Sequence, residues 1–471
     1  MNNDISNNDN QDKNPFSNMI SELENDKYHS HQSLLPLLEH KSLSLSTIIL
    51  TSIKLGCLSF GGSNRHISLI KSTFIEKEYI DEVSFNNIVD LCLLLPGYSS
   101  SILLSALVIA NTKNLLYSIV SLLSYNLPSL FAIVIISHIM NIVKANVRPS
   151  VLNYDPDAKY FSMYYDPFMF SLWVLAAGVA QSALALLIEA GIKLVKKLSN
   201  NTFQYILVIL SLGIYLYNGE YNFMLMVMII SGIASMVKGD HDYLFGIPKS
   251  NEDAIFTSIP YTGIGCIIVY LVILGILKAF SEETNKANIF IMLSISWIKM
   301  GAISIGEGNV MIPMILSEYK TIVEEAEVLN GYALVKLLPG SMLNTAAYIG
   351  VITSNVFGGI LSGILIFIPG FLFMLTALPY FKSIKYNTGF QFFIRGANSA
   401  AVGFVFACAM KLWYDSCIVN PYTSHLWGSL NVILCFVLSY KVKVHKTFVL
   451  MLGAMFNLMM EVLMHIAGKR I

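Results

Sequence analysis

The chain has 471 residues, 55% of them hydrophobic and 13% charged, and its 30 basic residues are balanced by 30 acidic ones. Soluble domains carry roughly a quarter charged residues, so a water-facing surface of ordinary size is excluded. With no net charge and no basic run, the phosphate attraction of a nucleic-acid binder is excluded as well. A mean hydropathy of +0.62 leaves an all-α polytopic membrane protein.

Residues 1–42 open with a tail rich in Asn, Asp, Ser and His, too polar to fold alone. The tail lacks a signal-peptide pattern, so the first apolar segment is expected to stay in the membrane as a helix. Apolar stretches then recur at 43–60, 85–110, 114–141, 167–190, 203–218, 221–237, 259–280, 287–306, 330–353, 356–380, 396–414, 425–440 and 447–467. These are about 13 transmembrane segments, several near the lower length limit for crossing roughly 30 Å of hydrocarbon. The polar stretch 61–84 places Ile67, Ile70 and Phe74 on one helical face, which suits an interfacial or re-entrant helix. Longer polar stretches are expected at 142–166, 238–258, 307–329 and 382–395. The Lys and Arg bias of the loops favours a cytoplasmic N-terminus. Cys57, Cys92, Cys266, Cys408, Cys417 and Cys435 lack paired ligand spacing, so no metal site and no cofactor are expected.

The main signal is a repeat. Ile53 to Ile67 reads IKLGCLSFGGSNRHI and Ile298 to Ile312 reads IKMGAISIGEGNVMI. The two are identical at Ile53/Ile298, Lys54/Lys299, Gly56/Gly301, Ser59/Ser304, Gly61/Gly306, Asn64/Asn309 and Ile67/Ile312. LLPG at 94–97 recurs at 337–340, and Pro128 in NLPS matches Pro369 in FIPG. Two homologous halves follow: a first repeat at 43–240, a linker with a connecting transmembrane segment at 241–286, and a second repeat at 287–471. One odd connecting span turns the second copy upside down. The expected architecture is therefore an inverted repeat with broken helices and a substrate site near the midplane, with a parallel repeat as the alternative if the Pro-Gly spans are re-entrant.

Pro96-Gly97 and Pro339-Gly340 sit inside apolar spans. Proline removes a donor and glycine admits unusual dihedrals, so new helices should start at 98–102 and 341–345. Their first turns would carry Ser99, Ser100 and Ser101 in one copy, and Ser341, Asn344 and Thr345 in the other. Two facing helix starts with hydroxyl donors suit an oxyanion, whereas a simple proline kink is the structural alternative. Lys54 and Lys299 occupy equivalent positions in spans, where an ammonium costs about 2.5–3.5 kcal/mol. They are read as anion-binding residues, with snorkelling to the interface as the alternative. Glu307 is read as a carrier of a coupling proton, or else as an ion-pair partner of Lys299. Gly61, Gly62, Gly306 and Gly308 are read as hinge or close-packing positions. Arg65 is a further anion candidate, and Lys336 and Asp90 lie near the two breaks, where they could pair across the repeat interface.

KLGCLSFGG at 54–62 with His66, LCLLLPG at 91–97, KMGAISIGEG at 299–308, and LLPG with Asn344 together resemble the chromate ion transporter family. The chain departs from that pattern at Ser63 and Tyr98, where the family usually has proline, and at Glu307, where it usually has glycine. The resemblance implies a two-halved polytopic protein that moves chromate, related to sulfate transport, and it adds His66 as a residue that could share the coupling proton. No nucleotide-binding loop, HExxH or Gly-x-Ser-x-Gly is present, so neither ATP-driven transport nor an intramembrane enzyme is expected. The expected function is secondary active transport of a divalent inorganic oxyanion, ion- or proton-coupled, by alternating access; an anion channel or a carrier of another anion is the alternative. Its expected partners are the oxyanion and the lipid bilayer, with a homodimer admitted, and the plasma membrane is taken over an organelle membrane.

Overall fold

The computed structural model describes residues 41–60, 63–95, 97, 100–151, 167–198, 201–239, 268–272, 275–276, 288–304, 308–380, 387–420 and 423–466. Among these, every regular element is helical. The first half consists of α1 (Leu45–Leu58), α2 (Ser63–Glu76), α3 (Glu82–Leu94), α4 (Ser100–Thr112), α5 (Leu115–Val151), α6 (Pro167–Leu198), α7 (Thr202–Tyr217) and α8 (Tyr221–Lys238). The second half consists of α9 (Ile289–Ile303), α10 (Met311–Glu318), α11 (Glu325–Leu337), α12 (Thr345–Thr353), α13 (Val356–Leu365), α14 (Ile368–Ala377), α15 (Thr388–Trp413), α16 (His425–Tyr440) and α17 (Lys446–Ile466). Six helical segments among the described residues are long and apolar enough to cross a membrane, and shorter apolar helices accompany them. Outward-facing Ile209, Ile230, Ile433, Met455 and Met459 are exposed, as a lipid-facing surface requires.

The two spans expected at 85–110 and 330–353 are not continuous helices, as the Pro-Gly breaks predicted. Each is split into half-helices, α3 with α4 and α11 with α12. Leu95 and Leu338 leave the helix with extended backbone, and Gly97 (φ 72°) and Gly340 (φ 122°) follow in conformations that only glycine adopts readily. Pro128, by contrast, lies inside the continuous α5, whereas its counterpart Pro369 starts α14, a position where its missing N–H costs nothing. The helix expected within 61–84 is α2, which buries Ile70 and Phe74, whereas the stretch 307–329, expected to be a polar connection, contains α10, which buries Met311 through Leu316. The span expected at 396–414 starts earlier, at Thr388. Most of the span expected at 259–280 lies outside the described residues.

Where the counterpart helices α5 and α13 touch, they run antiparallel. A Cβ on Gly363 would collide with Leu130, and one on Gly359 would lie 3.4 Å from Val134. Because these helices are equivalent in sequence and opposite in direction, the repeat is inverted, not parallel. The axis also relates Gly56 to Gly301: a Cβ on the first would collide with the Tyr125 carbonyl, and a Cβ on the second with that of Ile366. Both glycines thus let a half-helix press directly on a neighbouring backbone.

Around this centre the remaining helices are exchanged between halves. The long helix α15 packs on α7 and α8 of the first half, while α6 packs on α16 and α17 of the second. Small residues set the spacing, because a Cβ on Gly396 would collide with the Ser231 carbonyl and one on Gly403 with the Val208 carbonyl. Buried amides then tie the exchange together. Asn431 donates to the Gln181 side chain at 2.8 Å, and Asn457 donates to the Val174 carbonyl at 2.8 Å.

Candidate functional site

Two reciprocal backbone hydrogen bonds join the breaks of opposite halves. The Gly97 amide donates to the Ser304 carbonyl at 2.6 Å, and the Gly340 amide donates to the Ser59 carbonyl at 2.8 Å. The acceptors are carbonyls freed where α1 and α9 end, so each half supplies the partner that the other half's helix break leaves open. No Cβ fits at either donor. One on Gly97 would lie 2.8 Å from Gly370 Cα, and one on Gly340 would strike the Ser129 side chain.

Around the Gly340–Ser59 bond, the first half contributes a buried chain of hydroxyls. Ser59 Oγ lies 2.7 Å from the Tyr125 hydroxyl, which donates to Ser100 Oγ at 2.8 Å, and Ser100 Oγ lies 3.0 Å from His66 Nδ1. His66, Ser100, Ser59 and Tyr125 are all nearly inaccessible. The other ring nitrogen of His66, Nε2, is buried without a hydrogen bond.

Lys336 is the buried cation of this region, only 9% exposed. Its Nζ donates to Asn309 Oδ1 at 3.2 Å and lies 4.8 Å from the centroid of the Tyr332 ring, whose hydroxyl also donates to Asn309 Oδ1, at 2.8 Å. A cation–π contact and a shared amide acceptor are among the contacts that hold the ammonium. Asn344 is fully buried; its amide donates to Ser129 Oγ at 2.6 Å, while its Oδ1 makes no hydrogen bond.

The expected site residues divide into three groups. Ser100 and Ser101 occupy the first turn of α4 and are buried, and Ser341 caps the turn Met342–Asn344 that leads into α12 by accepting from the Leu343 amide at 3.3 Å. Gly97, Gly340, His66 and Asn344 join them at the centre, Gly308 packs against Met342, and Pro339 is half-buried. Lys54 and Lys299 are not brought together with these groups, since both are exposed on the outer sides of α1 and α9. Gly61, Gly62, Pro96, Ser99, Gly306 and Glu307 lie outside the described residues. The polar cluster also contains Ser59, Tyr125, Ser129, Asn309 and Tyr332, which sequence reasoning did not single out. The shared Ser59/Ser304 and Asn64/Asn309 identities pointed toward them, and Tyr332 is four residues before Lys336, on the same helical face.

Taken together, the arrangement offers a buried ammonium, the beginnings of two half-helices and several hydroxyls, a set suited to an anion with several oxygens. Among the described residues, no group of three or more His, Cys, Asp or Glu is placed to hold a metal.

The chain is similar to known transporters. A family model described as chromate transporter matches residues 46–236 and 291–458, one stretch in each half. An uncharacterized transporter of Methanocaldococcus jannaschii is 23% identical over 378 residues, covering 78% of this chain and 84% of its own. A chromate transport protein of Cupriavidus metallidurans is 23% identical, over 31% of this chain and 40% of its own. A probable chromate transport protein of Synechococcus elongatus is 24% identical, over 28% of this chain and 35% of its own. No solved structure matches.

Proposed function

Because the chain belongs to the chromate transporter family and is an integral membrane protein, we propose that it moves a divalent inorganic oxyanion of the chromate or sulfate type by secondary active transport. The observation that carries this reading is the buried Lys336, held by Asn309 and Tyr332 beside breaks that are latched across the two repeats. An ionisable side chain buried within a membrane protein marks a substrate or ion path by default, and the inverted repeat gives two arrangements of equal design between which the site can be opened to either side. We place the anion between Lys336 and the half-helix starts at Ser100–Ser101 and Ser341–Asn344. Lys54 and Lys299 lie outside that cluster and are assigned no direct contact with the bound anion. The plasma membrane is the proposed location.

The test is reconstitution in proteoliposomes with labelled chromate, sulfate, phosphate and molybdate under imposed pH gradients. Saturable uptake with counter-transport of a divalent oxyanion is expected. Ohmic currents without counter-transport would replace the carrier with a channel, and indifference to all four anions would remove the oxyanion reading.

A further inference from the structure

One end of the exchanged bundle is cationic. The last turns of α6 carry Lys193 and Lys196, and the turn after α16 carries Lys441 and Lys443, with Lys446 opening α17. Side-chain bonds draw these ends together across the two halves. Glu189 of α6 accepts from both Lys193 and Ser439, while Lys196 donates to the hydroxyl of Tyr440 and lies 5.2 Å from the centroid of its ring. Lys441 is the next residue. Glu189 is buried, whereas Lys193, Lys196, Lys441 and Lys443 are exposed.

The turn itself is fixed. The Val444 amide donates to the Leu438 carbonyl at 3.1 Å, closing α16 around Lys443 at φ 61°. Helices commonly close on glycine in this conformation, and here the position carries a cation.

The patch sits where hydrocarbon gives way to water, because Lys196 and Lys446 are the limits of the apolar spans of α6 and α17. Tyr440, stacked on Phe436 with ring centroids 5.3 Å apart, has the place of an interfacial aromatic. Beside the lysines, Val442 and Phe448 are exposed, and Met451, Leu452 and Met455 continue an exposed apolar side along α17. At the opposite ends of these three helices, the described residues include His425 and Glu461 and neither lysine nor arginine. That asymmetry places the lysine end on the cytoplasmic side.

We propose that this patch binds the headgroup of an anionic glycerophospholipid, with its phosphate among Lys196, Lys441 and Lys443 and its acyl chains along the outer side of α17. Clusters of lysine directly beside a membrane helix attract anionic headgroups, and the long side chains reach the headgroup level while their stems cover apolar surface. A free inorganic anion would use the lysines alone; the apolar border suits the tails. The bound lipid also has a structural effect. Lys196 belongs to the first half and Lys441 and Lys443 to the second, so the exchange of helices brings like charges together, and a headgroup between them relieves their repulsion and clamps the two halves. This inference is independent of which anion the protein carries.

The test uses the full-length protein in nanodiscs that mix phosphatidylcholine with phosphatidylglycerol, followed by native mass spectrometry of the lipids that stay bound. Wild type is expected to retain phosphatidylglycerol in preference to phosphatidylcholine. Lys441→Gln with Lys443→Gln, both at exposed positions, should lower that preference about tenfold, whereas Lys441→Arg with Lys443→Arg should keep it. The readout is a ratio of two lipids on folded protein, so a general loss of stability does not imitate the result; if the Gln pair does not fold, Lys196→Gln is measured against the same ratio. The proposal is overturned if wild type retains both lipids equally, if the Gln variants keep the wild-type ratio, or if the Arg pair loses it. Displacement of the retained phosphatidylglycerol by inorganic phosphate would also overturn it, making the patch a site for free anions.

Discussion

The Gly340 amide donates to the Ser59 carbonyl across the interface between the repeats at 2.8 Å, and a Cβ on Gly340 would strike Ser129. Gly97 and Ser304 repeat the bond on the other side of the axis. Two hydrogen bonds are a small fraction of the interface, but they are the points at which broken helices of one half are completed by the other.

Gly340→Ala should be costly. The backbone is held at φ 122°, where a side chain costs about 1–3 kcal/mol, and the collision with Ser129 adds to it. We expect a clear fall in melting temperature of the purified protein and loss of uptake. Adding Ser129→Gly should recover only part of the loss, because it relieves the collision and leaves the dihedral strain. A single variant that melts with wild type would show that the latch is not built as described.

Lys336→Met keeps the length of the side chain and removes its charge. Uptake of sulfate and chromate is expected to fall more than tenfold, with the protein still folded. Tyr332→Phe removes one hydrogen bond, worth about 1 kcal/mol, so a loss of about fivefold is expected. Initial rates in proteoliposomes check both, and full activity of Lys336→Met would move the binding charge elsewhere.

Lys54→Ala and Lys299→Ala, singly and together, should leave stability within about 0.5 kcal/mol, as expected of exposed positions, and keep at least half of wild-type uptake. A loss as deep as that of Lys336→Met would return the anion to the outer sides of α1 and α9.

Gly403→Val should act on folding and not on transport chemistry. Its side chain would be driven into the Val208 carbonyl and Ser211, and overpacking of this kind costs about 1–3 kcal/mol or more. We expect a lower yield of monodisperse protein and a lower melting temperature, with near-normal uptake per folded molecule.

The duplicated motifs made the breaks and the two-halved plan legible, because Pro-Gly inside an apolar run leaves few backbone solutions. They did not indicate which lysine is buried. Symmetry drew attention to Lys54 and Lys299, yet each lies two residues before a glycine pressed against a neighbouring backbone, Gly56 on Tyr125 and Gly301 on Ile366. Two residues are about 200° around a helix, so the faces that pack through glycine turn these lysines outward. Lys336 has no charged twin, and its burial depends on Tyr332, one turn earlier on α11, and on Asn309, which reaches it only through tertiary packing. The chain from His66 to Ser59 likewise joins residues far apart in sequence.

The exchange of α6 and α15 between halves has a consequence for biogenesis. When the first half has left the ribosome, Gln181 and Ser182 of α6 face positions that Asn431 and Cys435 will fill only after α16 has been made. The first half must therefore persist in the bilayer as an incomplete intermediate with polar groups unmatched. Quality-control proteases should read those exposed amides and hydroxyls as the mark of an unfinished chain, so a frameshift or truncation before residue 425 would yield a degradation substrate and not half a transporter.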